Sequence, residues 1–158
     1  MRLSVFAIGT RMPAWVNDGV REYARRLPRQ IQFSVEEITP GQRTARGHVT
    51  AARAQESAQL IKRAAPADLR IVLDEKGQPW TSTELAARLR DWLHHVPHVA
   101  LMIGGPDGFA DEVRDGADRL WSLSRLTLPH GLVRVVLAEQ IYRAWTIVDG
   151  HPYHREGR

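Results

Sequence analysis

In the first half of the chain, segments with an apolar residue at every second position alternate with segments where apolar residues are three or four positions apart. Where they occupy every second position they predict strands, the first ending near Gly9 and the second containing Phe33. The apolar run at 69–73 predicts a short buried strand. Positions three or four apart predict a helix that has Pro13 in its first turn and a second helix that ends before Pro66. The strand pattern consists of Leu3, Val5, Ala7, Ile31, Phe33 and Val35, and the helix pattern of Val16, Val20, Tyr23, Leu27, Val49, Ala52, Leu60, Ile61 and Ala64.

The second half of the chain continues the alternation. Thr81 and Glu84 have the spacing of a capping box and predict the start of a helix. The run at 98–104 predicts a strand that leads into the sequence GGPDG, residues 104–108, which we call the glycine turn. A helix, a brief strand at 126–129 and a long last helix are predicted to follow. The three helix patterns are Leu85, Leu89, Trp92 and Leu93; then Phe109, Val113, Ala117 and Leu120; then Val133, Val136, Leu137, Ile141, Ala144, Trp145 and Val148.

Strands that alternate with helices predict an α/β fold, with a mostly parallel sheet and helices on both faces. We expect a single domain over residues 1–158. Ligands bind such sheets at the carboxyl ends of the strands. The ends at 73–74, 104–108 and 127–130 all lie in the second half of the chain, which is where we predict the site.

Composition narrows the chemistry. The 158 residues are 43% hydrophobic and include no cysteine, which excludes disulfides, cysteine zinc sites and iron–sulfur clusters. The net charge is +4, and every basic residue except Lys62 and Lys76 is arginine. Arginine suits anionic partners, although codon bias is an alternative reason for its excess. No apolar run reaches the roughly 18 residues of a membrane helix and no signal peptide is visible, so we expect a cytoplasmic protein.

Several motifs have both a structural and a functional interpretation. The glycine turn lacks the spacing of a dinucleotide or phosphate loop, so it is either a tight turn or a place where backbone approaches a ligand. The polar loop at 39–48 is either a solvated connection or a surface where Arg43 and Arg46 reach phosphates. The neighbouring His94 and His95 point apart on a helix, and no metal site is expected.

Acid–base candidates lie near the end of the chain. Glu139 either pairs with Arg143 at i, i+4 or serves in a site. His130 follows a predicted strand and is either a proton acceptor or a packing residue. In the tail, residues 150–158, Tyr153 could stack on a base and Arg155 could hold a phosphate. Docking of the tail for stability is the alternative.

Four strings together resemble one family over the whole chain: IGTRMPAWV, LMIGGPDG, WSLSRLTLPHGLVRVVLAEQIYRAW and HPYHRE. They are similar to the ribosomal large subunit methyltransferase H family, minimal members of the SPOUT class. The resemblance implies a trefoil-knotted α/β fold and a homodimer. It also implies methylation of ring nitrogen-3 of a pseudouridine in 23S rRNA of assembled ribosomes, with S-adenosylmethionine as methyl donor.

The resemblance also implies roles for individual residues. The donor-contacting positions of the family correspond here to Leu73, Gly105, Ser124, Arg125, Leu126, Thr127, Leu128 and Pro129. Methyl transfer needs a deprotonated imide nitrogen, so a base or a stabilising cation is expected. Arg143 and Arg155 are candidates for anion stabilisation, Tyr153 for holding the base or the donor, and His130, Glu139 and His154 for a general base. The tail of one subunit is expected to complete the site of its partner, and the chemistry needs no metal.

Three other functions are alternatives to this interpretation. A non-catalytic ribosome-binding module would keep the arginines but would not need both GGPDG and LTLPHGL. A methyltransferase of the same class could act on another RNA or another base, although no additional RNA-binding domain is visible. A nucleotide-dependent oxidoreductase is disfavoured because its glycine fingerprint and acidic ribose contact are missing.

Overall fold

The computed structural model describes residues 1–43 and 48–155, and in these residues five strands alternate with five α-helices. A short 3-10 turn, Pro152–His154, follows the last helix. In chain order the elements are β1 Arg2–Ile8, α1 Ala14–Ala24, β2 Gln32–Ile38, α2 His48–Ala64, β3 Leu69–Pro79, α3 Ser82–His95, β4 His98–Ile103, α4 Asp111–Asp115, β5 Arg119–Ser122 and α5 His130–Asp149.

The five strands form one parallel sheet in the order β2-β1-β4-β3-β5. In its centre, Val5 of β1 lies opposite Val35 of β2 and Leu101 of β4. Strand side chains alternate between the two faces. Leu3 and Val5 therefore pack with residues of α3 and α5, while Phe6 and Ile8 pack with residues of α2 and α4. The predicted parallel sheet with helices on both faces is confirmed.

The start of α3 and the end of α5 have clear local causes. Thr81 Oγ1 accepts from the Glu84 amide at 3.1 Å, and the Glu84 carboxylate accepts from the Thr81 amide at 2.7 Å, which confirms the predicted capping box. Helix α5 ends at Gly150, whose φ of 75° is the left-handed conformation that glycine adopts readily. With 20 residues at about 1.5 Å rise per residue, α5 spans about 30 Å.

Two neighbouring predicted elements are wrong, the helix through Leu120 and the strand at 126–129. Helix α4 ends at Asp115, and Leu120 belongs to β5, which pairs with β3. The predicted strand at 126–129 is not a strand. Spacings of three or four residues cannot separate one helix from a short helix followed by a strand, and only the pairing of β5 with β3 decides. The third predicted strand end therefore moves from 127–130 to Ser122.

Two other boundaries also differ from prediction. Helix α1 stops at Ala24, so Leu27 packs from the following turn. Strand β3 continues to Pro79, with a register shift between Leu73 and Gln78 where it pairs with β5. Among the described helices, none is long and apolar enough to cross a membrane.

Candidate functional site

A cleft of about 760 Å³ opens at the carboxyl edge of the sheet, and we call it the main cleft. Its walls are residues 73–76 of β3, the glycine turn after β4, the segment 122–129 at the end of β5 and the first turn of α5. The start of α1 contributes a fifth side. The principal lining residues are Met12, Trp15, Val16, Leu73, Asp74, Gly104, Gly105, Phe109, Arg114, Ser124, Leu126, Thr127, Leu128, Pro129 and His130.

The glycine turn presents backbone to the main cleft. The Gly108 amide donates to the Gly105 carbonyl at 3.1 Å, and Gly108 has a φ of 72°. A Cβ on Gly105 would lie 3.0 Å from both Glu56 Oε1 and Ile8 Cγ2. Both neighbours are buried, with Ile8 2% and Glu56 1% exposed. A side chain at position 105 would therefore force one of these two buried side chains, which lie behind the turn, to shift by a few tenths of an ångström.

The segment 122–129 is stabilised by short-range hydrogen bonds. The Ser122 hydroxyl donates to the Ser124 carbonyl at 2.9 Å, and the Leu126 amide donates to Ser124 Oγ at 2.9 Å. Leu126 is 73% exposed at the edge of the cleft. Of the eight residues that the sequence predicts at the donor site, seven line the main cleft. Arg125 is exposed and does not line it.

Asp74 and Arg114 form an ion pair in the wall of the main cleft. Arg114 Nε donates to Asp74 Oδ2 at 2.5 Å, and Arg114 Nη1 donates to the Phe109 carbonyl at 3.1 Å. Burial by itself would raise the pKa of Asp74, but the hydrogen bond from the Lys76 amide and the pairing with Arg114 lower it overall. The pair joins the middle of β3 to α4, which follows the glycine turn.

His130, in the first turn of α5, is held by a buried arginine. Arg134 is 3% exposed, and its Nε donates to His130 Nε2 at 3.0 Å. The same guanidinium donates to Glu37 Oε2 at 2.7 Å and to the Gly9 carbonyl at 2.8 Å. Burial lowers the pKa of His130, and the charge of Arg134 lowers it further, against smaller opposing effects of the Gly104 backbone and Glu37. His130 is therefore a neutral ring whose Nε2 already accepts a hydrogen bond.

The other catalytic candidates meet at the far end of α5. Arg143 Nε donates to Glu139 Oε1 at 2.9 Å, which confirms the i, i+4 pair, and the Tyr153 hydroxyl donates to the same oxygen at 3.1 Å. The rings of Tyr142 and Tyr153 are 4.7 Å apart. We call Glu139, Tyr142, Arg143 and Tyr153 the tail cluster. Burial raises the pKa of Tyr153, and the Glu139 charge raises it further, so Tyr153 stays protonated at neutral pH.

The main cleft and the tail cluster are separate on one chain. His130 and Arg143 are thirteen residues apart on α5, which corresponds to about 20 Å along the axis. In the part of the chain that the structure describes, no member of the tail cluster lines the main cleft. His154 is half-buried beside the cluster, and Arg155 is exposed.

The sequence did not single out Glu56, Arg114 or Arg134. Each is a charged residue in an amphipathic stretch, and nothing local separates such a residue from an exposed one. Arg43, which was considered as a phosphate contact, pairs instead with Glu56 and Asp107, while Arg46 lies outside the described residues. Residues 1–43 and 48–155 contain no group of three or more His, Asp or Glu side chains that could hold a metal ion.

Comparison with known proteins gives a consistent result. A family model described as a predicted SPOUT methyltransferase matches residues 1–154. A protein of Nitrosococcus oceani named ribosomal RNA large subunit methyltransferase H is 50% identical, over 98% of this chain and 99% of its own length. One of the same name from Laribacter hongkongensis is 48% identical over 99% and 100%. A crystal structure of a methylase family protein from Neisseria gonorrhoeae has a TM-score of 0.53 at 14% identity, covering 89% of this chain and 81% of that one. That likeness concerns the fold alone.

Proposed function

The chain belongs to the ribosomal RNA large subunit methyltransferase H family of SPOUT methyltransferases, and on this premise we propose its reaction. The protein transfers a methyl group from S-adenosylmethionine to ring nitrogen-3 of a pseudouridine in 23S rRNA. Its substrate is the assembled ribosome. It works in the cytoplasm as a homodimer of single-domain chains, residues 1–158, without a metal ion and apart from membranes.

One observation carries this proposal. Seven residues that the family resemblance assigns to the methyl donor come from three separate parts of the chain, yet all line the main cleft. Its volume of about 760 Å³ is within the usual range for a small-molecule site. Apolar side chains such as Leu73 and Leu128 suit an adenine ring, and the open backbone at Gly105 and 124–129 suits polar donor atoms. The residues present therefore fit the donor.

The main cleft acts by positioning. S-adenosylmethionine, when bound, supplies a methyl group on a sulfonium that leaves as a neutral thioether. The protein has little charge to stabilise on the leaving side, so orientation of the two reactants supplies much of the rate. The glycine turn and the segment 122–129 provide rigid walls for that orientation. We assign Leu73, Gly105, Ser124, Leu126, Thr127, Leu128 and Pro129 to the donor, and Arg125 to the exposed edge beside them.

The tail residues act on the accepting base. The imide nitrogen of pseudouridine must lose a proton before it attacks, and a nearby guanidinium stabilises the anion that results. We assign Arg143 and Arg155 to that anion or to a phosphate, and Tyr153 to contact with the base. Glu139 and His154 are the proposed proton acceptors. His130 is a weaker candidate, because its Nε2 already accepts from Arg134; we assign it to the wall of the cleft.

The distance between the two regions supports a shared site. Arg143 lies about 20 Å from His130 along α5, and no described member of the tail cluster lines the cleft of its own chain. In a homodimer, the tail of one subunit serves the cleft of its partner. The trefoil knot of the resembled family remains a prediction for this chain.

Methyl transfer to ribosomes tests the proposal. The purified protein is incubated with labelled S-adenosylmethionine and ribosomes that lack the modification, and mass spectrometry identifies the labelled nucleoside. Label on a pseudouridine of 23S rRNA is the expected result. Label on another RNA would retain the donor and change the substrate. Absence of both label and donor binding would favour a non-catalytic ribosome-binding module.

A further inference from the structure

Arg43, at the end of the described part of the polar loop, points to a buried carboxylate. Its Nη2 donates to Glu56 Oε1 at 2.7 Å, and its Nη1 donates to Glu56 Oε2 at 2.8 Å. This is a bidentate pair, which is the strongest geometry between these groups. The Glu56 side chain is 1% exposed, and the Arg43 side chain is 22% exposed. Glu56 therefore has its charge matched almost entirely inside the protein.

The third donor of the same guanidinium reaches the glycine turn. Arg43 Nε donates to Asp107 Oδ2 at 2.7 Å. The Gly41 amide adds a hydrogen bond to Glu56 Oε2 at 3.0 Å. We call Arg43, Glu56 and Asp107 the Arg43 clamp. It joins three segments that are distant in sequence: the polar loop, helix α2 and the glycine turn.

Helix α2 also contacts the glycine turn directly. Glu56 Oε1 lies 3.0 Å from the place where a Cβ of Gly105 would be. The neighbouring Ser57 is 3% exposed, and its hydroxyl accepts from the Ala110 amide at 2.9 Å. Glu56 and Ser57 thus contact both ends of the segment 105–110. A glycine-rich backbone has many accessible conformations of its own, so these contacts select the one that lines the main cleft.

We propose that Arg43 is a positioning residue, which sets donor affinity by holding the glycine turn against α2 without lining the main cleft. The inference rests on the proposed function, because it concerns the donor site. Without Arg43, Glu56 would be a buried and unpaired carboxylate, which is strongly unfavourable. Glu56 would then take hydrogen bonds from the glycine turn or admit water, and either change displaces Gly105.

Isothermal titration with S-adenosylmethionine tests the clamp on the full chain. Binding by the wild type tests the proposed function, and the ratio of variant to wild type tests the inference. Arg43→Gln should raise the donor Kd by about tenfold or more. The double variant Arg43→Gln, Glu56→Gln should recover most of the affinity, since an amide pair keeps hydrogen bonds and leaves no buried charge. Arg63→Gln breaks the exposed pair with Glu36 and is the matched control, with unchanged Kd.

Two further measurements separate positioning from general stability and from RNA contact. Arg43→Gln should raise KM for the donor while kcat at saturating donor stays near the wild-type value. Asp107→Asn keeps the Arg43–Glu56 pair and should weaken donor binding by about threefold. This variant tests the inference if Arg43→Gln does not fold. Wild-type donor affinity in a folded Arg43→Gln variant would overturn the inference. If that variant instead lost ribosome affinity alone, Arg43 would be an RNA contact.

Discussion

The two ends of helix α5 form sites of opposite construction. At its start, the main cleft presents the backbone of the glycine turn and of the segment 122–129 among apolar side chains, and the Arg43–Glu56 pair holds the glycine turn from behind. At its end, the tail cluster presents side chains, with Arg143 and Tyr153 sharing one oxygen of Glu139. The function of the main cleft should depend on the position of its backbone, and that of the tail cluster on the identity of its side chains.

This difference predicts how each region responds to change. In a wall made of backbone, many different side chains can replace those that point to solvent. A side chain added at Gly105, which packs against buried residues behind the turn, should instead disturb the wall. A side-chain cluster tolerates backbone change but loses its role when a functional group is removed. Because no described residue of the tail cluster lines the main cleft, damage to one should leave the other intact within a subunit.

Removal of the tail is expected to have the largest effect. A chain truncated after Gly150 should lose methyl transfer to background level, because Tyr153, His154 and Arg155 are gone, while donor Kd stays within about twofold of the wild type. Labelled methyl transfer and isothermal titration measure the two quantities on one preparation. A fully active truncated chain would remove the tail from the mechanism, and a loss of donor binding would show that the two regions are coupled.

A side chain at Gly105 is expected to have the next largest effect. Gly105→Val should weaken donor binding about 100-fold or more, equivalent to about 2.7 kcal/mol, because the added atoms meet Glu56 and Ile8. Gly150→Ala at the other end of α5 is the matched control. It has open space around the new Cβ and should change only stability, by about 1 kcal/mol for its positive φ. Titration and thermal unfolding measure both variants. Unchanged donor affinity in Gly105→Val would remove the glycine turn from the donor site.

Loss of one hydroxyl should have a smaller effect, confined to the tail cluster. Tyr153→Phe removes the hydrogen bond to Glu139 and should lower stability by about 1 kcal/mol, with reduced kcat and unchanged donor Kd. Thermal unfolding and steady-state kinetics measure these effects. If donor affinity fell instead, Tyr153 would belong to the donor site of a partner subunit. The tail cluster and the main cleft would then not be independent sites.

The smallest expected effect is a pH dependence at the start of α5. The pKa of His130 is lower in the folded chain than its ordinary value of about 6.5. The unfolded chain therefore binds more protons as pH falls below about 6.5, and stability decreases with acidification. His98, whose pKa burial also lowers, contributes with the same sign. His130→Asn should therefore reduce the loss of stability between pH 7 and pH 5.5, by less than about 2 °C in melting temperature. An identical pH profile in wild type and variant would mean that His130 titrates as an ordinary exposed histidine.

Most elements of the fold followed from local pattern. The capping box at Thr81, the apolar face of α5 and the strand around Val5 each follow from spacing within about ten residues, and the structure confirms them. The error at 116–129 arose where local spacing was compatible with two arrangements. Pairing with β3 decided for β5, and such pairing joins residues almost fifty positions apart.

The candidate site divides in the same way. The sequence by itself predicted a ligand site at the strand ends and singled out the glycine turn and the tail as candidates, because turn glycines and clustered polar groups are recognisable locally. Only the tertiary structure decided that Arg43 faces Glu56 and Asp107, that Arg134 lies behind His130, and that the tail cluster is distant from the main cleft. The physical reason is that the energy of a buried charge depends on the partner it meets. That partner comes from another part of the chain, and only folding brings the two together.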